Sequence, residues 1–399
     1  MILGEDMQKS RKRSRRNRRA EQQTGSIFAI VFCVVIVLLM TVNILTPDKE
    51  MSSDEDRRLA DRPKLYWDSL ISGDYMEKYE VYLKDQFAGR ELLRNLKLTL
   101  KRLGGGREEN GVLLGKGGQL LETITVPKQE SLTANLEAIE KFTKSHKNMK
   151  VSMMLVPDAA NVLREELPAL YSVTDQKRMI AQVKRELEES VNWIDVESIL
   201  SKHTDEAIYY KTDKHWTSLG AYYVFEEAAE QLGIRKNPAV KFATYPITAT
   251  FHGSLSSRSG YKQNVKEIID IYAQTEGDSD VVVSYVDEQR KTASLYDSSK
   301  LESANQYEVF LGGDTSVIDI KTVSENSGRL LVIKDSFANS FIPFLTPYYR
   351  EIVVVDPKYY GGTIQDIMDT YRITDTLFLY GGNTFFQDNH ISGVLGSGK

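Results

Sequence analysis

An uncharged run of 21 residues, GSIFAIVFCVVIVLLMTVNIL at positions 25–45, constrains the architecture of this chain more than any other feature. At about 1.5 Å per residue, a helix of that length spans roughly 31 Å, enough to cross a hydrocarbon core of ~30 Å. A cleaved signal peptide has a shorter apolar region and ends at a small-residue cleavage site, which the following TVNILTPDKE does not offer. We therefore predict a transmembrane helix over residues 25–46.

The charged residues around the apolar run predict its orientation. Residues 1–24 form a basic segment with eight basic and three acidic side chains. Because Lys and Arg are enriched on the cytoplasmic side of membrane spans, we expect this segment in the cytoplasm, beside anionic lipid, and everything after Leu45 outside the cell. The net charge of −5 for the whole chain leaves about −10 for the exported part, so we expect no nucleic-acid partner.

The cysteine and histidine content limits the chemistry of the exported part. The single cysteine, Cys33, lies in the apolar run, and the chain has five histidines. Outside the membrane there is consequently no disulfide, thiolate nucleophile or cysteine-ligated metal. The pair Asp213 and His215 could ligate a metal, but no third ligand follows at a suitable spacing. We expect neither a metal nor a cofactor.

The remaining chain divides by pattern into two parts, a helical stalk over residues 47–105 and an α/β domain over residues 106–399. In the stalk, Tyr75, Tyr79 and Tyr82 recur at helical spacing, and LGGG at 103–106 ends the pattern. The domain then opens with NGVLLGKGGQLLE, which predicts a tight hairpin.

Helical and apolar segments alternate through the predicted domain. We predict helices over 131–148, 174–190 and 217–232, and strands over 150–157, 191–196, 281–286, 307–313, 329–336, 351–356 and 376–382. Several of the strands are continuous apolar runs rich in β-branched residues, typical of a parallel sheet buried on both faces. The alternation predicts an α/β fold with a doubly wound, mainly parallel sheet, in which ligands bind at the carboxyl ends of the strands.

One strand end carries a candidate nucleophile. In RLLVIKDSFANSFIPFL (329–345) a buried strand runs into Asp335 and Ser336, and we predict that a helix begins at once. A serine at such a turn stands above the sheet edge, with its backbone N–H near the positive end of a helix, as a nucleophile with an oxyanion intermediate requires. Either residue could instead serve only as a helix cap.

The segment YYKTDKHWTSLGAYY (209–223) supplies partners for this serine. A serine hydroxyl needs a base, and the base needs a carboxylate that fixes its tautomer. Asp213 and His215 provide both, and in an extended segment residues two apart have their side chains on one face. Of the other histidines, His252 could line a cleft but has no neighbouring carboxylate. These residues alone indicate serine acyl chemistry outside the membrane.

The segments TDKHWTSLGAYY, VIKDSFANSFIPFL and VFLGGD together resemble the DHHW family, exported relatives of the SGNH hydrolase-like O-acetyltransferases that modify alginate. The similarity runs from about residue 70 to the C-terminus. It implies an SGNH hydrolase-like fold in which Ser336 is the nucleophile, His215 the base and Asp213 the carboxylate that orients it. One residue departs from the motif, since Lys214 stands where the family has its first histidine.

The resemblance also implies a function. A membrane-anchored O-acetyltransferase would act on a cell-surface or secreted polysaccharide, with a membrane-bound O-acyltransferase as the partner that delivers the acetyl group. An acetylesterase would use the same relay, and a non-catalytic glycan-binding scaffold of an export complex is the alternative from another class. The candidates for oxyanion or substrate contacts are Asn339, Gly312, Gly313, Asn383 and Trp216, although tight turns explain the glycines equally well.

Overall fold

Two compact units make up the chain, Met1–Ser52 with Arg57–Lys97, and Ser53–Asp56 with Leu98–Lys399. The predicted basic segment 1–24 lies outside the residues that the structure describes. This computed structural model describes residues 26–52, 57–235, 237, 240–261, 265, 267–276, 279–388 and 390–396.

The first unit contains the apolar helix. Helix α1 (Ser26–Leu45) is long and apolar enough to cross a membrane. The elements that follow are the strands β1 (Met51–Ser52) and β2 (Arg57–Arg58), paired antiparallel, and the helices α2 (Trp67–Ser72), α3 (Asp74–Gln86) and α4 (Arg90–Leu103), of which α4 continues into the second unit. Residues 47–105 are therefore mostly helical, as predicted.

The second unit is built on an eight-stranded sheet. In spatial order its strands are β11 (Arg290–Thr292), β10 (Val281–Tyr285), β12 (Val317–Thr322), β14 (Glu351–Val355), β13 (Arg329–Lys334), β15 (Asp375–Gly381), β6 (Lys150–Val156) and β7 (Asn192–Ile194). The five strands from β14 to β7 pair in parallel, and β12, β10 and β11 extend the sheet through antiparallel pairs. The predicted α/β fold with a mainly parallel sheet is confirmed.

Helices cover both faces of this sheet. Successive side chains of a buried strand point to opposite faces, so each strand contributes to two cores. On β13, Leu330 and Val332 pack in one core, whereas Leu331 and Ile333 pack in the other. The α-helices of the second unit after α4 are α5 (Gln129–Ser145), α6 (Ala159–Val162), α7 (Gln176–Leu187), α8 (Val196–Leu200), α9 (Ser218–Ala228), α10 (Ser254–Ser259), α11 (Ile364–Tyr371), α12 (Gly382–Gln387) and α13 (Ile391–Gly396). Helices α8 and α9 contribute to the first core, and α5, α7 and α11 to the second.

Two smaller sheets complete the unit. The strands β3 (Glu108–Glu109), β4 (Val112–Leu114) and β5 (Leu120–Glu122) form an antiparallel sheet, and β8 (Phe242–Thr248) pairs antiparallel with β9 (Ile269–Gln274). The turn between β4 and β5 contains Gly117 at φ +58°, a conformation that glycine adopts without strain. The predicted hairpin is therefore present.

One predicted strand is wrong. Residues 307–313 contain the end of a 3-10 helix (Gln306–Val309) and a turn in which Leu311, Gly312 and Gly313 all have positive φ. Tyr307 and Phe310 are buried in the same cluster, so the apolar residues of this run enter a core from a 3-10 helix and a turn and not from a strand. The strand β12 was not predicted, since Asp319 and Lys321 interrupt its apolar pattern.

Candidate functional site

The carboxyl end of β13 positions Ser336. The strand ends at Lys334, and the side chain of Asp335 then accepts two backbone hydrogen bonds. Its Oδ1 accepts from the N–H of Phe337 (3.0 Å), and its Oδ2 accepts from the N–H of Gly381 at the end of β15 (3.1 Å). The capping role therefore belongs to Asp335, which also ties the serine turn to the neighbouring strand.

A helix begins at Ser336, as predicted, and it is of the 3-10 type. The segment forms two short 3-10 helices, Ser336–Ser340 and Ile342–Tyr348. Pro343 and Pro347 lie in the second of them and lack the N–H group that an α-helix would use. Ser336 is therefore the first residue of a short 3-10 helix, and the cap at Asp335 fixes its position.

Three side chains that the sequence analysis singled out form one hydrogen-bonded chain. The Nε2 atom of His215 lies 2.7 Å from Oγ of Ser336, 121 residues away. The Nδ1 atom of His215 lies 2.5 Å from Oδ1 of Asp213. Asp213 and His215 are buried, whereas Ser336 is half-buried. A partly exposed hydroxyl is thus held against a buried imidazole and carboxylate at the carboxyl edge of the sheet.

The local conformation of the Asp213 segment differs from the extended one that was predicted. Residues 211–215 form a bend, bracketed by an isolated bridge between Tyr209 and Trp216. The backbone N–H of His215 donates to Oδ1 of Asp213 (3.0 Å), which closes a turn through the side chain. This turn, and not strand alternation, places the carboxylate and the imidazole side by side.

The carboxylate of Asp213 is fully bonded and ionised. Its Oδ2 accepts from the backbone N–H and the hydroxyl of Ser254, each at 2.8 Å. Burial would raise its pKa, but the charge and hydrogen bonds of His215, together with the Ser254 N–H, hold the pKa well below its usual range. The adjacent Gly253 permits this approach, since a Cβ atom there would lie 2.2 Å from Cβ of Asp213.

Tyr307 fixes the imidazole ring from one face. The two rings stack with centroids 3.8 Å apart and an angle of 2° between their planes. The Tyr307 hydroxyl lies 3.3 Å from the carbonyl oxygen of Ser336 and 3.3 Å from Oγ of Ser340. One side chain therefore connects the imidazole of His215 to the turn that carries Ser336. Sequence reasoning missed it, because Tyr307 lies in an apolar run that resembles a strand.

The side chain of Glu267 holds the backbone of the segment just before Asp213. Its carboxylate accepts hydrogen bonds from the N–H groups of Lys211 and Thr212 and from the Thr212 hydroxyl. The hydroxyl oxygen of Thr212 in turn accepts from the N–H of Gly253 (2.9 Å). Burial raises the pKa of Glu267, and its hydrogen bonds oppose that shift. Through Thr212, Glu267 thus supports the link between the segment of Asp213 and the segment of Gly253. No local sequence pattern indicated this role.

Two of the five candidates for substrate contacts lie next to Ser336. Trp216 is completely buried, and its indole N–H donates to the carbonyl oxygen of Phe337 (2.9 Å), so this contact accounts for its position. Asn339 lies in the 3-10 helix that begins at Ser336. It is buried, and among the described residues its Oδ1 has no hydrogen-bond partner. Asn339 remains a candidate for contact with the reacting group.

The other three candidates have structural contacts. The side-chain amide of Asn383 donates to the carbonyl of Thr123 and accepts from the N–H of Thr125, both at 2.9 Å. Gly312 and Gly313 have φ values of +72° and +97° in the turn after the 3-10 helix. The tight turn requires glycine there, so the turn accounts for both residues.

Asp158, which follows β6, is a buried acid that is hydrogen-bonded to Asn383. Its Oδ2 accepts from the N–H of Asn383 (2.8 Å) and from Gln176 (2.5 Å), whereas its Oδ1 has no partner among the described residues. Burial, with repulsion from Glu122, raises the pKa of Asp158 to about 7. An acid whose pKa is raised by folding stabilises the fold below its ordinary pKa of about 3.9, and that contribution is lost as the pH rises through about 7.

The Asp158→Asn variant should therefore be more stable than the wild type at about pH 8. The amide keeps an acceptor for the two donors and does not ionise. We expect its melting temperature to rise by several degrees at that pH, with a gain that shrinks towards about pH 4, as calorimetry can measure. Asp205→Asn, at an exposed position, is the control and should show no such dependence. An equal gain at both pH values would contradict a raised pKa.

The described residues include no group of three or more His, Cys, Asp or Glu side chains that could hold a metal ion. A cavity of about 690 Å³ is lined by Glu267, Tyr209 and Asp270, among others. Ser336 and His215 are not among the described residues that line it. The candidate site is consequently the half-buried Ser336 with its buried partners, and not this cavity.

Comparison with known proteins assigns the family. Residues 129–355 match the family model described as DHHW protein, and this segment covers more than half of the chain. The chain belongs to the DHHW family. The matched segment includes Asp213, His215 and Ser336, and the resemblance noted in the sequence is thereby confirmed. No curated protein matches the chain significantly.

Solved structures share the fold. A DHHW family protein from Eubacterium siraeum matches with 23% identity and a TM-score of 0.61, covering 71% of this chain and 95% of its own. Bacillus cereus PatB1, solved with a sulfonyl adduct, matches with 20% identity and a TM-score of 0.57, covering 71% of this chain and 98% of its own. The O-acetyltransferase domain of Pseudomonas putida AlgJ is more distant, with 14% identity, a TM-score of 0.43 and coverage of 70% and 94%. The first two likenesses show that this chain shares their fold.

Proposed function

We propose that this DHHW protein is an O-acetyltransferase that carries an acetyl group on Ser336 and transfers it to a polysaccharide hydroxyl. The observation that carries the proposal is the hydrogen-bonded chain from Asp213 through His215 to Ser336, with 2.5 and 2.7 Å links. Nucleophile, base and orienting carboxylate are the three parts of a serine acyl-transfer relay. The family resemblance supports the choice of acetyl as the acyl group and of polysaccharide as the acceptor.

The proposed reaction has two steps. In the first, His215 Nε2 takes the Ser336 proton while Oγ attacks the acetyl carbonyl, and the same proton then passes to the departing donor. In the second, a sugar hydroxyl gives its proton to His215 and attacks the acetyl-enzyme, which restores the Ser336 hydroxyl and leaves an acetylated sugar. The ionised Asp213 stabilises the imidazolium formed in each step. We propose the side-chain NH2 group of Asn339 as the donor beside the oxyanion.

The proposal also includes a location and a partner. We propose that α1 anchors the protein in the cell membrane with the basic segment 1–24 in the cytoplasm and the second unit outside. The length and composition of α1 and the charge difference across it support this orientation. A membrane-bound O-acyltransferase that presents acetyl on the outer side would supply the donor, as the resemblance to the family suggests.

Two other functions would use parts of the same site. An acetylesterase would pass the acetyl group to water in the second step. A scaffold that only binds glycan would need no buried carboxylate beside an imidazole, because burying charge costs free energy and adds nothing to sugar stacking. The fully bonded Asp213 and His215 therefore favour an enzyme over the scaffold.

An acceptor assay distinguishes these functions. The full chain in lipid nanodiscs would receive p-nitrophenyl acetate as donor, with and without candidate cell-surface polysaccharides, in the presence of a chelator. We expect Ser336-dependent release of nitrophenolate, faster with the right acceptor, and acetyl mass increments on the polysaccharide. Release without increments on any acceptor would indicate an esterase. No release and no increments would favour the scaffold.

A further inference from the structure

Helix α4 has an apolar face that solvent reaches. At 100° per residue, five of its leucines fall within an arc of about 100°. The exposed fractions of these side chains are 73% for Leu92, 51% for Leu93, 53% for Leu96, 60% for Leu100 and 80% for Leu103. These five leucines are called the leucine face below. Such a row of large exposed apolar side chains on one helix is a mark of an interaction surface.

A different face of α4 packs on the protein. Leu98 is 5% exposed and lies in a cluster with Val112, Leu120 and Tyr261 of the second unit. By helical spacing Leu98 is about 160° from Leu96 and Leu100 on average. The leucine face therefore lies on the side of α4 opposite Leu98, and folding leaves it exposed.

The polar side of α4 is basic. In sequence the helix contains five Lys and Arg residues and one acidic residue, Glu91. A helix with apolar residues on one face, Lys and Arg on the other and low overall hydrophobicity lies in the plane of a membrane interface, with its apolar face about 5–10 Å deep. Two of the basic side chains also pair with acids, since Lys101 donates to Glu109 (2.6 Å) and Arg90 lies 3.8 Å from Asp85.

The bilayer is the occupant that this chain itself points to. Helix α1 is long and apolar enough to cross a membrane, and only residues 46–89 separate it from α4. A helix tethered to a bilayer meets lipid at a high effective concentration. A partner protein would have to compete with that lipid for the leucine face.

We infer that α4 lies in the interface of the bilayer that α1 crosses, with the leucine face among the acyl chains. Leu100 and Leu103 of the leucine face belong to the second unit, so this docking keeps the second unit at the membrane surface. The inference concerns the placement of the protein and does not depend on the acyl chemistry at Ser336.

Fluorophore depth in vesicles tests the inference on the full chain. In a Cys33→Ala background, which removes the only cysteine, the single variants Leu96→Cys and Leu100→Cys would each carry an NBD label. The control is Leu170→Cys, at an exposed leucine in the second unit that lies outside α4. The proteins would be reconstituted in phosphatidylcholine vesicles with and without phosphatidylglycerol, after melting curves show that each variant is folded.

We expect blue-shifted emission at Leu96 and Leu100, and quenching by doxyl-labelled lipids severalfold stronger than at Leu170. Phosphatidylglycerol should increase this quenching, and aqueous iodide should quench only the Leu170 label well. Iodide quenching at all three positions would overturn the inference. Labels at Leu96 and Leu100 that neither quencher reaches would also overturn it, because they would indicate a protein contact.

Discussion

Replacing Ser336 by alanine should abolish acetyl release and acetyl transfer, with kcat reduced by about 10⁶-fold, the loss found when the nucleophile alone is removed from a serine protease relay. In this structure the imidazole Nε2 has the Ser336 hydroxyl as its partner at 2.7 Å. Without that oxygen no acyl-enzyme forms, and the residual rate reflects binding alone. Nitrophenolate release by purified full-length protein measures the effect.

The matched control for this variant is Ser340→Ala, in the same 3-10 helix. Ser340 is buried, and its hydroxyl lies 3.3 Å from that of Tyr307 and not beside the imidazole. We expect Ser340→Ala to keep activity within a few-fold of the wild type. A Ser336→Ala protein that keeps more than about a hundredth of the activity would place the nucleophile elsewhere.

Asp213→Asn should reduce kcat by about 10⁴-fold, as the corresponding change does in a serine protease relay. Four groups donate hydrogen bonds to this carboxylate. The backbone N–H and Nδ1 of His215 donate to one oxygen, and the N–H and hydroxyl of Ser254 donate to the other. The asparagine NH2 group would replace one of the two oxygens, and in either orientation it would face donors instead of acceptors. The imidazole is consequently driven to the wrong tautomer, or Ser254 is displaced.

Turnover and melting temperature should be measured together for this variant. Asp175→Asn is the control, since Asp175 caps α7 by accepting from the Arg178 N–H, which asparagine also does. We expect Asp175→Asn to behave as the wild type. If Asp213→Asn keeps activity within tenfold of the parent, Asp213 has a structural role only.

The sequence predicted the parts of the site that depend on local pattern. A parallel strand buried on both faces reads as a continuous apolar run, so β13 and the position of Ser336 at its carboxyl end could be predicted. Asp213 and His215 could be selected because a serine nucleophile needs both residue types. Their convergence on Ser336 across 121 residues is a tertiary contact, which only the structure displays.

The supporting residues could not be predicted for the same reason. Gly253 donates to Thr212 and Ser254 donates to Asp213, each from 41 residues away, and Glu267 contacts Thr212 from 55 residues away. Nothing in their local sequence distinguishes them from loop residues. Tyr307 lies in a run whose composition suits a strand, and its role follows from stacking on a distant imidazole. Sequence pattern describes local structure, whereas these contacts depend on the packed fold.

The most direct test of the central claim is to find which residue becomes acylated. Sulfonyl fluorides react with activated serine hydroxyls, and the activation proposed for Ser336 comes from its 2.7 Å contact with His215. The full chain would be treated with a small sulfonyl fluoride and examined by intact mass and peptide mapping. We predict a single adduct on Ser336, absent from Ser336→Ala and formed much more slowly in Asp213→Asn. An adduct on another residue, or equal labelling of Ser336→Ala, would contradict the relay.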